Sequence, residues 1–157
     1  MRSFRTSLIA IALAAQAGSA RAQEDDVLAI LPISADPATC NLNLATKVSL
    51  LSIAGDPLKW KGQCVAVDGY RSGNALFAAQ PDAGQRYPHS SEQFSGRRVG
   101  IYGTEQVLAS ASDAGSAYTA VGIAGDCDTL AGGTAMVFGY CHYTDGAFIV
   151  LAEIRRL

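Results

Sequence analysis

The sequence lacks the patterns that define several common classes of protein. It has no continuous run of about 20 apolar residues, the length that a transmembrane helix needs, and we therefore expect no membrane span. Its 12 lysines and arginines are scattered, and only Arg97-Arg98 and Arg155-Arg156 stand next to each other. Nucleic-acid-binding proteins usually concentrate such residues on one face to neutralise phosphates. A nucleic-acid partner is therefore disfavoured.

Motifs for metal binding and nucleophilic catalysis are also missing. The closest two cysteines are 14 residues apart, whereas zinc sites usually contain close pairs such as Cys-x2-Cys. No Gly-x-Ser-x-Gly or Ser-x-x-Lys motif surrounds Ser90 and Ser91. His142 follows Cys141, but strand alternation puts their side chains on opposite faces, which disfavours a Cys–His nucleophile. We predict no catalytic residue, no metal site and no cofactor.

Acidic residues offer one set of candidate oxygen ligands. Asp126, Asp128 and Asp145 are the candidates for a calcium site. Oxygen-rich sites usually present several carboxylates within one loop, and the run Asp126-Cys127-Asp128 provides only two. Turn capping is therefore the favoured role for these aspartates.

The first 22 residues have the three parts of a cleaved secretory signal peptide. Arg2 and Arg5 are basic, residues 8–15 are apolar, and Ala20-Arg21-Ala22 forms a small-residue cleavage site. No cysteine follows the apolar run for lipid attachment, and the two arginines are not adjacent. We therefore predict cleavage after Ala22 and a soluble mature protein that is periplasmic or secreted.

The predicted mature chain has the length of one domain and is mildly acidic. Removing residues 1–22 leaves 135 of the 157 residues, which is enough for a single core. The mature chain has nine lysines and arginines against 14 aspartates and glutamates, a formal charge of −5. Residues 23–40 contain Pro32 and Pro37 and form a predicted extended lead-in, and residues 41–157 form the predicted domain.

The four cysteines all lie in the predicted mature chain. An even number of cysteines in an exported chain predicts two disulfides, and four cysteines allow three pairings. Cys127 ends one predicted strand and Cys141 lies in the next, which favours pairing them and leaves Cys40 for Cys64. Free buried thiols are the alternative.

Apolar periodicity predicts a helix followed by strands. Leu44, Val48 and Leu51 form one helical stripe, so we predict a helix from Asn41 or Asn43 to about Gly55. Alternation predicts strands, and a second short helix is predicted over residues 104–112. The last two strands are predicted to form a hairpin around Thr144-Asp145-Gly146. The predicted strands are residues 63–70, 74–79, 98–102, 118–124, 136–143 and 147–154.

The run DPLKWKGQCVAVDGY at residues 56–70 resembles the opening of many bacterial OB-fold domains, in which a helix leads into the first barrel strand. Residues 121–124 and 147–154 resemble the fourth and last strands of that fold. The resemblance covers about residues 42–156. It implies a mainly β protein, a small five- to six-stranded antiparallel OB-like barrel with an N-terminal helix.

The resemblance also implies a place for a binding site. The face of strands 2 and 3 and the loops beside it form the usual OB ligand surface, which here means residues 74–79 and 98–102 and the loop 80–96. The implied binding residues are Phe77, Arg97, Arg98 and Tyr102. Because this face has few basic and stacking residues, the expected function is an exported, non-enzymatic binding or envelope-structural module that recognises a protein, peptide or glycan.

A small secreted hydrolase, a nuclease-like OB-fold enzyme, is the alternative. Such an enzyme needs arginines that hold a phosphate and a carboxylate base. Arg71, Arg97 and Arg98 would be the arginines, and Glu92 would be the base. The acidic net charge disfavours attraction of a polyanion, so binding remains the preferred expectation.

Overall fold

The computed structural model describes residues 34–84, 94–130, 140–143 and 146–157. The strands in these ranges are β1 (Thr46–Ser49), β2 (Cys64–Ser72), β3 (Ala75–Phe77), β4 (Arg98–Tyr102), β5 (Ala117–Asp126) and β6 (Ala147–Arg156). The helices are short, and they are α1 (Leu50–Gly55), α2 (Pro57–Trp60), α3 (Gln80–Ala83), α4 (Glu105–Ala109), α5 (Cys127–Leu130) and α6 (Tyr140–Tyr143). No helix within these ranges is long and apolar enough to span a membrane.

Five strands close into a barrel in the order β2, β3, β4, β6, β5 and back to β2. Strands β2, β3 and β4 form an antiparallel meander, and β5 returns to lie antiparallel beside β2, which is a Greek-key arrangement. Strand β6 fills the gap between β5 and β4. The predicted mainly β barrel is confirmed.

The sheet is mixed, which corrects the expectation of purely antiparallel strands. Strand β6 runs parallel to β4, and β1 runs parallel to β2. The first of these follows from the count of strands, because directions cannot alternate all the way around a closed ring of five. Strand β1 is the extra sixth strand. It pairs with residues 65–68 of β2, beyond the residues 70–72 that pair with β3.

The barrel interior is filled by the inward-facing side chains of all five strands. Alternation places Val65 and Val67 of β2 inside, and Leu50 and Ile53 of α1 are buried against the same cluster. Ser49 caps this helix, because its hydroxyl accepts a hydrogen bond from the Ser52 N–H at 3.2 Å. Helix α1 therefore contributes directly to the core of the barrel.

A second apolar layer lies on the outer side of the barrel strands. Phe77 and Phe148 point outward from their strands and are nevertheless buried, together with Phe94 and Tyr140. The chain before β1 adds to this layer, and the Ala35 N–H donates a hydrogen bond to the carbonyl of Leu151 at 3.0 Å. Much of the outer surface is thus covered by the chain itself.

Two disulfides hold this outer layer in place. Cys40 pairs with Cys64 at the start of β2, and Cys127 pairs with Cys141 of α6, with Cα–Cα distances of 5.5 and 5.4 Å. This is the pairing that the predicted strand positions favour. Each closes a loop for which the chain-entropy model gives about 3 kcal/mol of stabilisation.

The predicted N-terminal helix is wrong over most of its length. Turns occupy residues 37–45 and β1 follows, so that helix begins only at Leu50. The Asn41 side chain accepts hydrogen bonds from the N–H groups of Asn43 and Leu44 and holds the chain in a turn. Leu44 and Leu51, two members of the predicted apolar stripe, are exposed.

The predicted C-terminal hairpin is also corrected. Tyr140–Tyr143 form helix α6, and residues 136–139 lie outside the described ranges. The partners of β6 are β5 and β4, which are distant in sequence. The alternation of aromatic residues there does not mark a strand, because the Cys127–Cys141 bridge and the contact of Tyr140 with β4 hold this segment on the outside of the barrel. The predicted helix over 104–112 is confirmed in part as α4.

Candidate functional site

The sequence-predicted binding residues lie on or beside the outer face of β3 and β4. On this β3–β4 outer face, Phe77 lies opposite Arg98 in the strand register. Phe77 is 0% exposed and packs edge-on against Phe94, with ring centroids 5.5 Å apart. Phe77 therefore belongs to the buried outer layer and offers no surface to a partner.

Helix α6 covers the rest of the β3–β4 outer face. The ring of Tyr140 lies so close to Gly100 that a Cβ atom added to residue 100 would overlap the ring. The Arg98 Nε donates a hydrogen bond to the Tyr140 hydroxyl at 3.2 Å, and its guanidinium lies 5.7 Å from the ring centroid. Arg98 is only 6% exposed. The absence of a side chain at Gly100 is what lets the tyrosine seat against β4.

Tyr102 is half-buried at the edge of this contact. Its hydroxyl accepts a hydrogen bond from the Cys141 N–H at 2.8 Å, and its ring packs edge-to-face on Phe148 at 5.5 Å. Burial raises the pKa of Tyr102 above its usual value, an effect that the Cys141 N–H partly opposes and that Tyr140 reinforces. The phenol therefore serves to position α6.

Arg97 is the most exposed of the four predicted residues. Its guanidinium lies 3.3 Å from a carboxylate oxygen of Asp82 in α3 and 5.7 Å from the centroid of the Phe94 ring. The structure thus brings Phe77, Arg98 and Tyr102 together on one face and places Arg97 beside them. Phe94 and Tyr140 pack over this face, so that Phe77 and Arg98 are buried.

The residues considered for hydrolysis are also engaged elsewhere or lie outside the described part of the chain. Arg71 donates hydrogen bonds to the carbonyls of Leu108, at 2.6 Å, and of Ala111, and its Nε donates to Gly73 at 3.1 Å. Burial lowers the pKa of this guanidinium, and the nearby Tyr118 raises it in part. Arg71 therefore closes the carboxyl end of α4. Outside the described part lie Glu92, Ser90, Ser91, Asp145 and the side chain of His142.

The candidate calcium ligands do not form a cluster in the described ranges. Asp126 is buried at the end of β5, its carbonyl accepts a hydrogen bond from the Thr129 hydroxyl at 3.0 Å, and Asp128 is exposed. Within residues 34–84, 94–130, 140–143 and 146–157, no three His, Cys, Asp or Glu side chains are grouped to hold a metal ion. A cavity of about 190 Å³ lies between Arg98, Tyr140 and Asp128.

A larger groove lies beside β1. This β1 groove has a volume of about 450 Å³ and is lined by residues 47–51 together with Asp68 and Ala78. The Lys47 ammonium lies 3.2 Å from one carboxylate oxygen of Asp68, and the Thr119 hydroxyl donates to the other at 2.6 Å. The two charges of the groove therefore neutralise each other, and the remaining lining is largely apolar.

Strand β1 lies at the edge of the sheet formed by the described strands. It pairs with β2 on one side, and none of the described residues pairs along the other. Because neighbouring residues of a strand direct their backbone groups to opposite sides, about half of the N–H and C=O groups of β1 point away from β2. Within the described ranges, no backbone group of another segment bonds to them.

Exposed leucines are concentrated around the same strand. Five large apolar residues are exposed in the described part of the chain, and four of them lie between residues 42 and 58 on either side of β1. The four are Leu42, Leu44, Leu51 and Leu58, and the fifth is Leu157. The sequence pattern placed Leu44 and Leu51 on the apolar stripe of a predicted helix. The sequence signal that could have predicted their exposure was the β-branched pair Thr46 and Val48 between them, because such residues favour a strand over a helix.

The two regions offer a partner very different surfaces. The β3–β4 outer face carries the residues that the sequence predicted, but Phe94 and Tyr140 cover it. The β1 groove is bordered by exposed leucines and by the side of β1 that no other described strand occupies. No protein-family model, curated protein or solved structure matches this chain.

Proposed function

We propose that this chain is an exported, OB-like binding module whose partner is a protein or peptide that docks at the β1 groove. The observation that carries this proposal is the coincidence of a strand edge that no described residue pairs with, an apolar groove and four exposed leucines within residues 42–58. Exposed apolar surface of this kind is typical of protein interaction sites.

The OB-like part of the proposal is supported by the strand order. An OB fold is a five-stranded Greek-key barrel, and the ring of β2, β3, β4, β6 and β5 contains a Greek key. Export is supported by the predicted signal peptide and by the two disulfides, which are typical of oxidising extracellular or periplasmic environments.

A protein partner is favoured over a glycan or a nucleic acid by the chemistry of the groove. Lys47, the groove's basic side chain, is neutralised by Asp68 at 3.2 Å, so no excess positive charge is available for phosphates. Leu51 and Val48 provide apolar surface, which gains more from burying another apolar side chain than from contact with hydroxyl groups.

The test is affinity capture from envelope extract with the mature protein and two variants. Leu51→Asp puts a charge on the groove wall, and Leu157→Asp is the matched control because it changes another exposed leucine that lies outside the groove. We expect the wild type and Leu157→Asp to retain the same protein and Leu51→Asp to lose it. Retention by all three, or recovery of glycans alone, would contradict the proposal.

A further inference from the structure

We infer that the Cys127–Cys141 disulfide is a redox-sensitive latch, whose reduction by a dithiol frees helix α6 from the β3–β4 outer face and exposes Arg98. This latch acts on a different surface from the β1 groove and does not depend on the partner proposed there. The dithiol is a reductant with two thiol groups, such as dithiothreitol or the Cys-x-x-Cys pair of an oxidoreductase.

The redox step is an ordinary thiol–disulfide exchange. One thiolate of the dithiol attacks a sulfur of the bridge, forms a mixed disulfide with that cysteine and releases the other cysteine as a thiolate. The second thiol of the reductant then closes its own disulfide and releases the first cysteine. The dithiol is thus oxidised by two electrons, Cys127 and Cys141 are reduced to two thiols, and the two protons of the dithiol end on these cysteines.

The Cys40–Cys64 bridge joins two segments that other contacts already hold in place. Cys64 belongs to β2 and pairs with Ile123 of β5 in the barrel ladder. Cys40 is 0% exposed, and its N–H donates a hydrogen bond to the Asp36 carbonyl at 2.9 Å. Two thiols that stay close together have a high effective concentration and re-form their bond readily. This bridge should therefore resist reduction by a dithiol.

The Cys127–Cys141 bridge instead joins the end of the barrel to a short outer helix. Cys127 directly follows β5 and is 4% exposed, whereas Cys141 belongs to the four-residue helix α6 and is partly exposed. Helices this short have little stability of their own, so within the described part of the chain α6 is held mainly by the bridge and by its contacts with β4. Once reduced, these two thiols can separate, and this bridge should open at the lower dithiol concentration.

The described contacts of α6 with β4 come from two consecutive residues. The Tyr140 ring lies against Gly100, and its hydroxyl accepts the hydrogen bond from Arg98. The Cys141 N–H donates to the Tyr102 hydroxyl at 2.8 Å. Each hydrogen bond contributes little net free energy in water. Closing a loop across the 14-residue separation of the two cysteines favours the closed state by about 100-fold in the chain-entropy model, and reduction removes this factor.

The accessibility of Arg98 shows whether α6 is in place. Arg98 is 6% exposed beneath Tyr140, whereas the side chain of the neighbouring Arg97 is 48% exposed. Burying a guanidinium removes most of its hydration, so the opening of α6 returns water to a charged group. This gain favours the open state once the bridge no longer opposes it.

The first test asks which bridge a dithiol opens. The folded protein is incubated with increasing concentrations of dithiothreitol, without denaturant, and free thiols are trapped with iodoacetamide and mapped by mass spectrometry. We expect Cys127 and Cys141 to be alkylated at concentrations that leave Cys40 and Cys64 joined. Reduction of both bridges together, or loss of the β signal in far-ultraviolet circular dichroism, would overturn a local latch.

The second test measures the exposure of Arg98 with phenylglyoxal, which modifies accessible guanidinium groups. Arg98 should react about 100-fold faster after the bridge is reduced and trapped, while Arg97 should react at a similar rate in both states and serves as the internal control. Tyr140→Ala should expose Arg98 with the bridge intact. Continued protection of Arg98 after clean reduction, or in Tyr140→Ala, would overturn the inference.

Matched cysteine variants separate the latch from a general loss of stability. Cys127→Ser with Cys141→Ser should expose Arg98 without any reductant. Cys40→Ser with Cys64→Ser should keep Arg98 protected until dithiothreitol is added. Equal exposure of Arg98 in the two double variants would show that either bridge protects it only by stabilising the whole fold, and would overturn the latch.

Discussion

The β3–β4 outer face and the β1 groove differ in how the chain completes them. On the first, aromatic residues from distant segments return to cover the strands, and the Cys127–Cys141 disulfide holds one of those segments. Beside β1, the leucines at both ends of the strand remain in solvent. The comparison shows that apolar and cationic residues on a strand indicate a binding surface only when no other part of the chain covers them.

The largest effect is expected from truncating the most buried residue of the covered face. Phe77→Ala should lower the free energy of unfolding by about 3–5 kcal/mol, because it removes a fully buried ring and leaves a cavity against Phe94. Urea denaturation measures this loss. Leu51→Ala, at an exposed position in the β1 groove, should change stability by less than about 0.5 kcal/mol. Equal, small effects of the two substitutions would remove the contrast between the regions.

Removing the disulfide that holds the cover should have the next largest effect. The double variant Cys127→Ser with Cys141→Ser should lose about 3 kcal/mol of stability in the chain-entropy model. Hydrogen exchange should also accelerate for the backbone amide of residue 141, which donates a hydrogen bond to the Tyr102 hydroxyl in the native protein. The matched control is Cys40→Ser with Cys64→Ser, which should destabilise comparably but leave that amide protected. Acceleration in both double variants would mean that the bridge does not act locally.

A smaller effect is expected from adding one methyl group beneath Tyr140. Gly100→Ala forces the ring to move and should cost about 1–3 kcal/mol. Tyr140→Ala removes the obstacle, so Gly100→Ala should cost much less in that background, and a double-mutant cycle of unfolding free energies measures the difference. Strict additivity would show that Tyr140 does not seat on Gly100.

The smallest effect concerns the titration of Tyr102. Its folded-state pKa is raised above the usual tyrosine value of 10.0, so above about pH 10 the unfolded chain loses this proton first and stability falls as pH rises through this range. Ultraviolet titration of the native protein should show one phenol that ionises at a higher pH than usual. This ionisation should be absent in Tyr102→Phe. An unchanged high-pH limb in the variant would contradict the assignment of the raised pKa to Tyr102.

Features that depend on local pattern were accessible from the sequence. The alternation of Val65 and Val67 marked β2, and the positions of Cys127 and Cys141 relative to the predicted strands favoured the disulfide that forms. The resemblance to OB-fold domains led to a closed β-barrel. The strand pattern and the disulfide are local features, because the first is set by neighbours in sequence and the second by a single choice of partner. The barrel followed from the resemblance.

Features that depend on distant partners were not accessible. Alternation along β4 and β6 does not encode relative direction, so their parallel pairing emerges only when the ring closes. The burial of Phe77 requires Phe94, and the exposure of Leu51 follows from β1 replacing most of the predicted helix. The burial of Phe77 was missed for the same reason that the helix was wrong: periodicity indicates an apolar face but does not identify what lies against it.

The ring of five strands is complete without β1. Its hydrogen-bonded circuit runs through β2, β3, β4, β6 and β5, and β1 is attached to it only through β2, while the core contacts nearby come from Leu50 and Ile53 of the following helix. The exposed residues Thr46 and Lys47 can therefore change in sequence without breaking the circuit, whereas Val48 packs against the core and Ser49 caps the helix. This separation makes the barrel a scaffold whose sixth strand can diverge at its exposed positions, or be redesigned there, while the closed ring is kept.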